Sequence, residues 1–130
     1  MKKILIFSLV TLSLSFVSCK KDTQVGADLK WNDVSYFELT SGWKASLYNE
    51  AISFLHDEDY NKAAVETKNI KVNDEAVIFN QSISQYENFT LVIFNDKNEN
   101  GKYDHAEVAK VKFSGTDAGE NLTFDITVDY

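Results

Sequence analysis

Six residues between Asp96 and Glu107 carry the chemistry most legible in this chain. Asp96, Asn98, Asn100, Asp104 and Glu107 place side-chain oxygens at positions 1, 3, 5, 9 and 12 of one twelve-residue stretch, and Gly101 stands at position 6. Calcium takes six to eight hard oxygen ligands at about 2.3–2.6 Å, so a chain that is to hold it must curl until alternate side chains converge. On this spacing Asp96, Asn98 and Asn100 supply one oxygen each, and the carbonyl of Lys102 supplies another. Asp104 is expected to act directly or through a water, and Glu107 to close the shell with two oxygens. Gly101 gives the sharp turn that a side chain would obstruct. Tyr103 occupies the position from which a side chain packs inward.

The flanks set the kind of role expected. Phe89 to Phe94 and Ala109 to Phe113 both read as strands, so this is an EF-hand-like loop spliced between two strands, without helices. A calcium sensor works by swinging paired helices apart. A loop between strands has no such lever, which favours a structural ion over a signalling one. Asn, Asp and Gly also populate ordinary polar turns. The calcium reading rests on every ligand position, the glycine and the distal glutamate being in place together. Without an ion, Asp96, Asp104 and Glu107 would crowd three carboxylates into one loop.

A second chemistry sits at Cys19, the only cysteine in 130 residues. Lys2 and Lys3 precede an uncharged stretch from Ile4 to Val17, the length of a signal-peptide apolar core and short of the roughly 20 residues that span a bilayer. The run Ser15-Phe16-Val17-Ser18-Cys19 resembles a lipobox, and Lys20-Lys21-Asp22 follows at once. That resemblance implies a signal peptide over residues 1–18, cleavage before Cys19 and a lipid of two or three acyl chains on that cysteine, which anchors stably. With Lys20 following the cysteine, the resemblance implies an outer-membrane lipoprotein of the cell envelope, facing the periplasm or the surface.

The remaining 112 residues suffice for one domain. Without Lys2 and Lys3, 11 lysines face 20 acidic residues, a charge of −9, and arginine is absent. Such a surface repels nucleic acid and attracts cations. Residues 19–30 are polar, contain Gly26, and read as the lipidated cysteine followed by a flexible tether. From Trp31 the dominant period is two. Leu122, Phe124, Ile126 and Val128 alternate with polar residues, as do Ala109, Val111 and Phe113. Weaker strands are expected at Ser35–Leu39, Lys44–Tyr48, Val65–Val72 and Ala76–Ile83, whereas Glu50–Leu55 reads equally as a short helix or a bulged edge. Seven short strands separated by turns predict an all-β fold, an antiparallel β-sandwich over residues 31–130.

Several of these stretches together resemble a family of exported bacterial β-sandwich proteins known as a domain of unknown function. They are Ala45-Ser46-Leu47-Tyr48-Asn49, Phe54, the strand Val92-Ile93-Phe94-Asn95 entering the loop Asp96 to Asp104, and the closing strand Asp125 to Tyr130. The resemblance implies the sandwich and the metal loop, and no established activity.

Catalysis has little support in the sequence. The histidines are His56 and His105, the single cysteine is assigned to lipid, and no serine lies in a nucleophile elbow. His56-Asp57-Glu58-Asp59 reads as a solvated acidic loop. Trp31, Trp43, Tyr36 and Tyr48 are of the types that form either a core or a platform for a sugar or peptide, with core favoured. The expected function is therefore a non-enzymatic, membrane-anchored binding or envelope-complex module, with an envelope protein or a glycan as partner. The alternatives are a carbohydrate-binding accessory module and, further off, a small hydrolase.

Overall fold

Side chains on a strand alternate between faces, so a chain of short alternating segments buries its apolar rows by stacking two sheets. The computed structural model describes residues 19–32 and 42–129 and shows this arrangement. Seven strands form it: β1 (Lys21–Trp31), β2 (Trp43–Tyr48), β3 (Glu66–Asn69), β4 (Ala76–Ile83), β5 (Glu87–Asn95), β6 (Ala109–Thr116) and β7 (Leu122–Val128). One sheet has the order β4-β1-β7 and the other β3-β2-β5-β6. The all-β sandwich is as expected. The expected signal peptide, the strand at Ser35–Leu39, Tyr36 and Tyr130 lie outside the described residues.

Two expectations are corrected. Residues 19–30 are not a flexible tether, because β1 begins at Lys21 and forms the middle of the three-stranded sheet. Thr23, Val25, Ala27 and Leu29 face inward and are buried, alternating with exposed Asp22, Gln24, Asp28 and Lys30. The period was there, but Thr and Ala carry it weakly. Gly26 suggested flexibility, yet it serves close approach. A Cβ there would run into the Val77 carbonyl of β4, so glycine lets the two strands meet.

The second correction concerns direction. β1 pairs antiparallel with β4 but parallel with β7, Val25 opposite Leu122 through Trp31 opposite Val128. The sheet is therefore mixed. A parallel neighbour needs a long crossover, and here everything from β2 to β6 supplies it.

The inner core lies between the sheets, with Val25, Phe79, Phe124 and Ile126 against Leu47, Phe89, Leu91 and Ile93. A second cluster covers the outer face of the larger sheet. There Tyr48, Val92 and Phe94 meet Ile52 and Phe54 from the β2–β3 connection and Tyr103 from the β5–β6 loop. β5 is consequently buried on both faces, from Phe89 to Asn95 without a break. Glu50–Leu55 is neither helix nor strand. It crosses the outer face as an irregular strap fastened at Thr90, whose hydroxyl donates to the Glu50 carbonyl (2.6 Å) and accepts from the Ile52 N–H (2.9 Å). A 3-10 turn, Asp57–Asn61, follows it. The outer edge strands β3 and β6 carry Lys68, Lys110 and Lys112, charges that oppose edge-to-edge pairing.

Candidate metal centre

The β5–β6 connection is held at both ends before any ligand chemistry is considered. Asn95 N–H donates to the Val108 carbonyl (3.0 Å), closing the hairpin, and Asp96 N–H donates to the Gly42 carbonyl (2.9 Å) just ahead of β2. Gly42, at φ +99°, is pressed against the Asp96 backbone, where a Cβ would crowd the Asp96 carbonyl. The chain then turns through Glu99 (φ +57°) and Gly101 (φ +78°). The left-handed region costs a glycine little, and it is this backbone angle that favours glycine at 101, because a Cβ there would meet nothing within 4 Å and the expected obstruction is not found.

Asp96 is almost entirely buried, at 1 % exposure. Its Oδ2 accepts the Gly101 N–H at 2.8 Å, which pulls the loop into a curl. Its Oδ1 is buried with no hydrogen-bond partner. A buried carboxylate oxygen without a partner is costly, and such groups are ordinarily paired or bound to a metal. The neighbouring Asn95 Nδ2 is also buried without a partner. It is a donor, so a cation would not satisfy it.

The other expected ligands gather around the same curl. Asn98 Oδ1 accepts the Asn100 N–H (3.3 Å), and Asn100 Oδ1 accepts the Lys102 N–H (2.9 Å). Both side-chain amides donate to Asp104 Oδ2, at 2.9 Å from Asn98 and 2.7 Å from Asn100. Glu107 braces the base, Oε1 accepting the Asp104 N–H (2.8 Å) and Oε2 the Lys97 N–H (2.9 Å). Asp96, Asn98, Asn100, Lys102, Asp104 and Glu107 thus belong to one hydrogen-bonded loop.

Among the described residues, no group of three His, Cys, Asp or Glu side chains is arranged to hold a metal ion. The three carboxylates of the loop, Asp96, Asp104 and Glu107, are therefore not gathered into such a group, and the remaining expected donors are two carboxamides and a backbone carbonyl. In this conformation the amides turn nitrogen, not oxygen, toward Asp104. Rotating a carboxamide exchanges its oxygen and nitrogen, so the same side chains can present acceptors to a cation.

Two carboxyls of the loop are shifted in opposite directions by their surroundings. Burial pushes the Glu107 carboxyl above its ordinary value, and the negative charges of Asp96 and Asp104 add to the push, against the pull of its two backbone N–H donors. Asp104 shifts the other way, chiefly through the Asn98 amide, with Asn100 and Lys102 helping. A carboxyl raised on folding stabilises the fold below its unfolded pKa and loses that contribution as pH rises through the folded one. In calcium-free solution, carbon-detected NMR titration is expected to place Glu107 above the usual value of about 4.3 and Asp104 below the usual aspartate value. Calcium should then move Glu107 down. A Glu107 midpoint that ignores calcium would remove it from the ligand set.

Tyr103 packs inward as its position suggested, 8 % exposed, with ring contacts to Phe54 (5.1 Å), Tyr60 (5.3 Å) and Phe94 (5.6 Å). Its hydroxyl is pushed well up, first by burial and then by its hydrogen bond with Tyr60. Tyr48 behaves likewise, raised to about 12 by burial and by the charge of Asp104. His105 points away from the curl, stacks on Tyr60 (3.9 Å between centroids) and meets Asp57 at 2.8 Å. Sequence reasoning missed the contribution of Gly42, Asp57 and Tyr60 here, because each is remote in sequence from the loop it supports.

Among the described residues Trp31, Trp43 and Tyr48 do not form the aromatic platform considered for them. Trp43 and Tyr48 are each 2 % exposed, and Trp31 lies edge-on to Trp43 at 5.3 Å with its indole N–H on the Asp74 carbonyl (2.9 Å). A shallow cleft of about 310 Å³ does open beside the loop, bordered by Ser46, Tyr48, Thr67 and Lys102. Comparisons with family models, with curated proteins and with solved structures return no match.

Proposed function

We propose that this protein is a non-enzymatic, membrane-anchored lipoprotein of the cell envelope, a β-sandwich whose β5–β6 loop binds a structural calcium ion. It serves there as a binding or envelope-complex module. The observation that carries the metal reading is Asp96, a buried carboxylate with one oxygen fixed to Gly101 and the other without a partner, set within a curl of Asn98, Asn100, Asp104 and Glu107. Calcium suits this set because its donors are oxygens, several are neutral, and its coordination tolerates irregular geometry.

The anchor reading is supported by Cys19, which is exposed and stands directly ahead of β1. In this reading lipid on Cys19 supplies the attachment. Metabolic labelling with a palmitate analogue is expected to mark the wild-type chain and not Cys19→Ala. A label that persists in the variant places the anchor elsewhere.

A further inference from the structure

The strand that replaces the expected tether fixes which end of the sandwich meets the lipid. Cys19 and Lys20 are exposed, and Lys21 is already paired with Ile83. Two residues reach at most about 7 Å, so an anchor on Cys19 holds the sheet close. The same end carries the Ser84–Tyr86 turn between β4 and β5 and the 117–121 loop between β6 and β7. That loop is bound to β1, with Gly119 N–H on the Thr23 hydroxyl (2.8 Å) and the Gln24 N–H on Asn121 Oδ1 (3.3 Å). The Asp96–Glu107 loop leaves β5 at its other end. Nine residues at about 3.3 Å each put it roughly 30 Å away.

Two large side chains are exposed on the near half of the larger sheet, Tyr86 (57 %) in the turn and Phe113 (56 %) opposite Thr90, the fourth residue of β5. The Tyr86 ring lies across Gly115, where a Cβ would collide with it. Gly115 and Phe113 are two residues apart on β6 and share a face, so Tyr86 and Phe113 expose their rings on the same face of that strand. Charge does not explain it. Lys20 and Lys21 are outnumbered there by Asp22, Glu87, Asp117 and Glu120, which disfavours an anionic surface. Aromatic rings of this kind settle at the boundary between headgroups and acyl chains.

We propose that the domain stands end-on upon its lipid surface, with Tyr86 and Phe113 in the interface and the Asp96–Glu107 loop held away at the opposite end. This rests on the lipid anchor proposed above. It can be tested separately, because the chain from Cys19 to Tyr130 contains all seven strands and a single thiol. That thiol can be coupled to a maleimide lipid in neutral phosphatidylcholine nanodiscs containing a gadolinium-chelate lipid, with no cellular acylation needed. The amides of Tyr86, Phe113 and Gly119 are expected to lose signal while residues 96–107 keep theirs, and added salt should leave the pattern unchanged. A Tyr86→Ser/Phe113→Ser variant, its fold checked by its spectrum in free solution, is expected to lose the contrast between the two ends. Signal loss spread evenly over both ends, or centred on Leu55 or on the 96–107 loop, would overturn the proposal. If the contrast is seen but palmitate labelling fails, the docking face stands and the anchor reading alone falls.

Discussion

Phe94→Ala is expected to destabilise the chain from Cys19 to Tyr130 by about 3–5 kcal/mol, the range for emptying a buried phenylalanine site. Phe94 has no exposed surface, sits on the outer face of β5 and contacts the Tyr103 ring at 5.6 Å. Its loss opens a hole beneath both the strap and the loop. Domains of this size are stable by only about 5–15 kcal/mol, so the variant stands near unfolding. The urea midpoint measures it, and Phe113→Ala is the control. Phe113 is an aromatic of the same sheet but 56 % exposed, and such positions usually change stability by about 0.5 kcal/mol or less. Equal costs for the two variants would mean that the outer cluster is not a core.

The second large effect is calcium itself. Binding to the folded state alone stabilises by RT ln(1 + [L]/Kd), about 2.7 kcal/mol at a hundredfold excess over Kd. For a domain of this size that is a rise in melting temperature on the order of 10 °C. Extracellular modules bind calcium with Kd near 10⁻⁴–10⁻³ M, so the rise should develop through the millimolar range. Glu107→Gln is expected to abolish it, because it removes a charge and one of two oxygens. Asp96→Asn should weaken it as well, by exchanging one oxygen of the buried carboxylate for a donor. Magnesium demands near-ideal octahedral geometry and sheds water reluctantly, so its shift should be the smaller. A melting temperature indifferent to millimolar calcium in the wild type would end the metal reading.

These two experiments bear on one another. Tyr103 joins the loop to the aromatic cluster, and His105 joins it to Tyr60 and Asp57 of the β2–β3 connection. Residues that hold the loop from inside the cluster therefore lower the cost of curling it. Phe94→Ala is expected to shift the calcium response to higher concentration as well as to lower stability.

The sequence by itself determined the strands whose alternation is carried by large residues. Leu122 to Val128 appears where the period placed it, since a row of Leu, Phe, Ile and Val can be buried on only one side of a pleated strand. It also set out the turn at Gly101 between two strands, because a positive φ is a local property of a few neighbouring residues. Tertiary structure decided the rest. β1 is a strand because β4 and β7 flank it, and its inward Thr23 and Ala27 are too small to announce this alone. Ala109 and Val111 turn to the outer face because the strap and Tyr103 provide a second core there, while Phe113, two residues on, lies beyond that cover. Asp96 is buried and one of its oxygens lacks a partner only once Gly42 closes over its backbone. Burial and pairing depend on what arrives from elsewhere in the chain, and a period of two says which residues share a face without saying what will cover it.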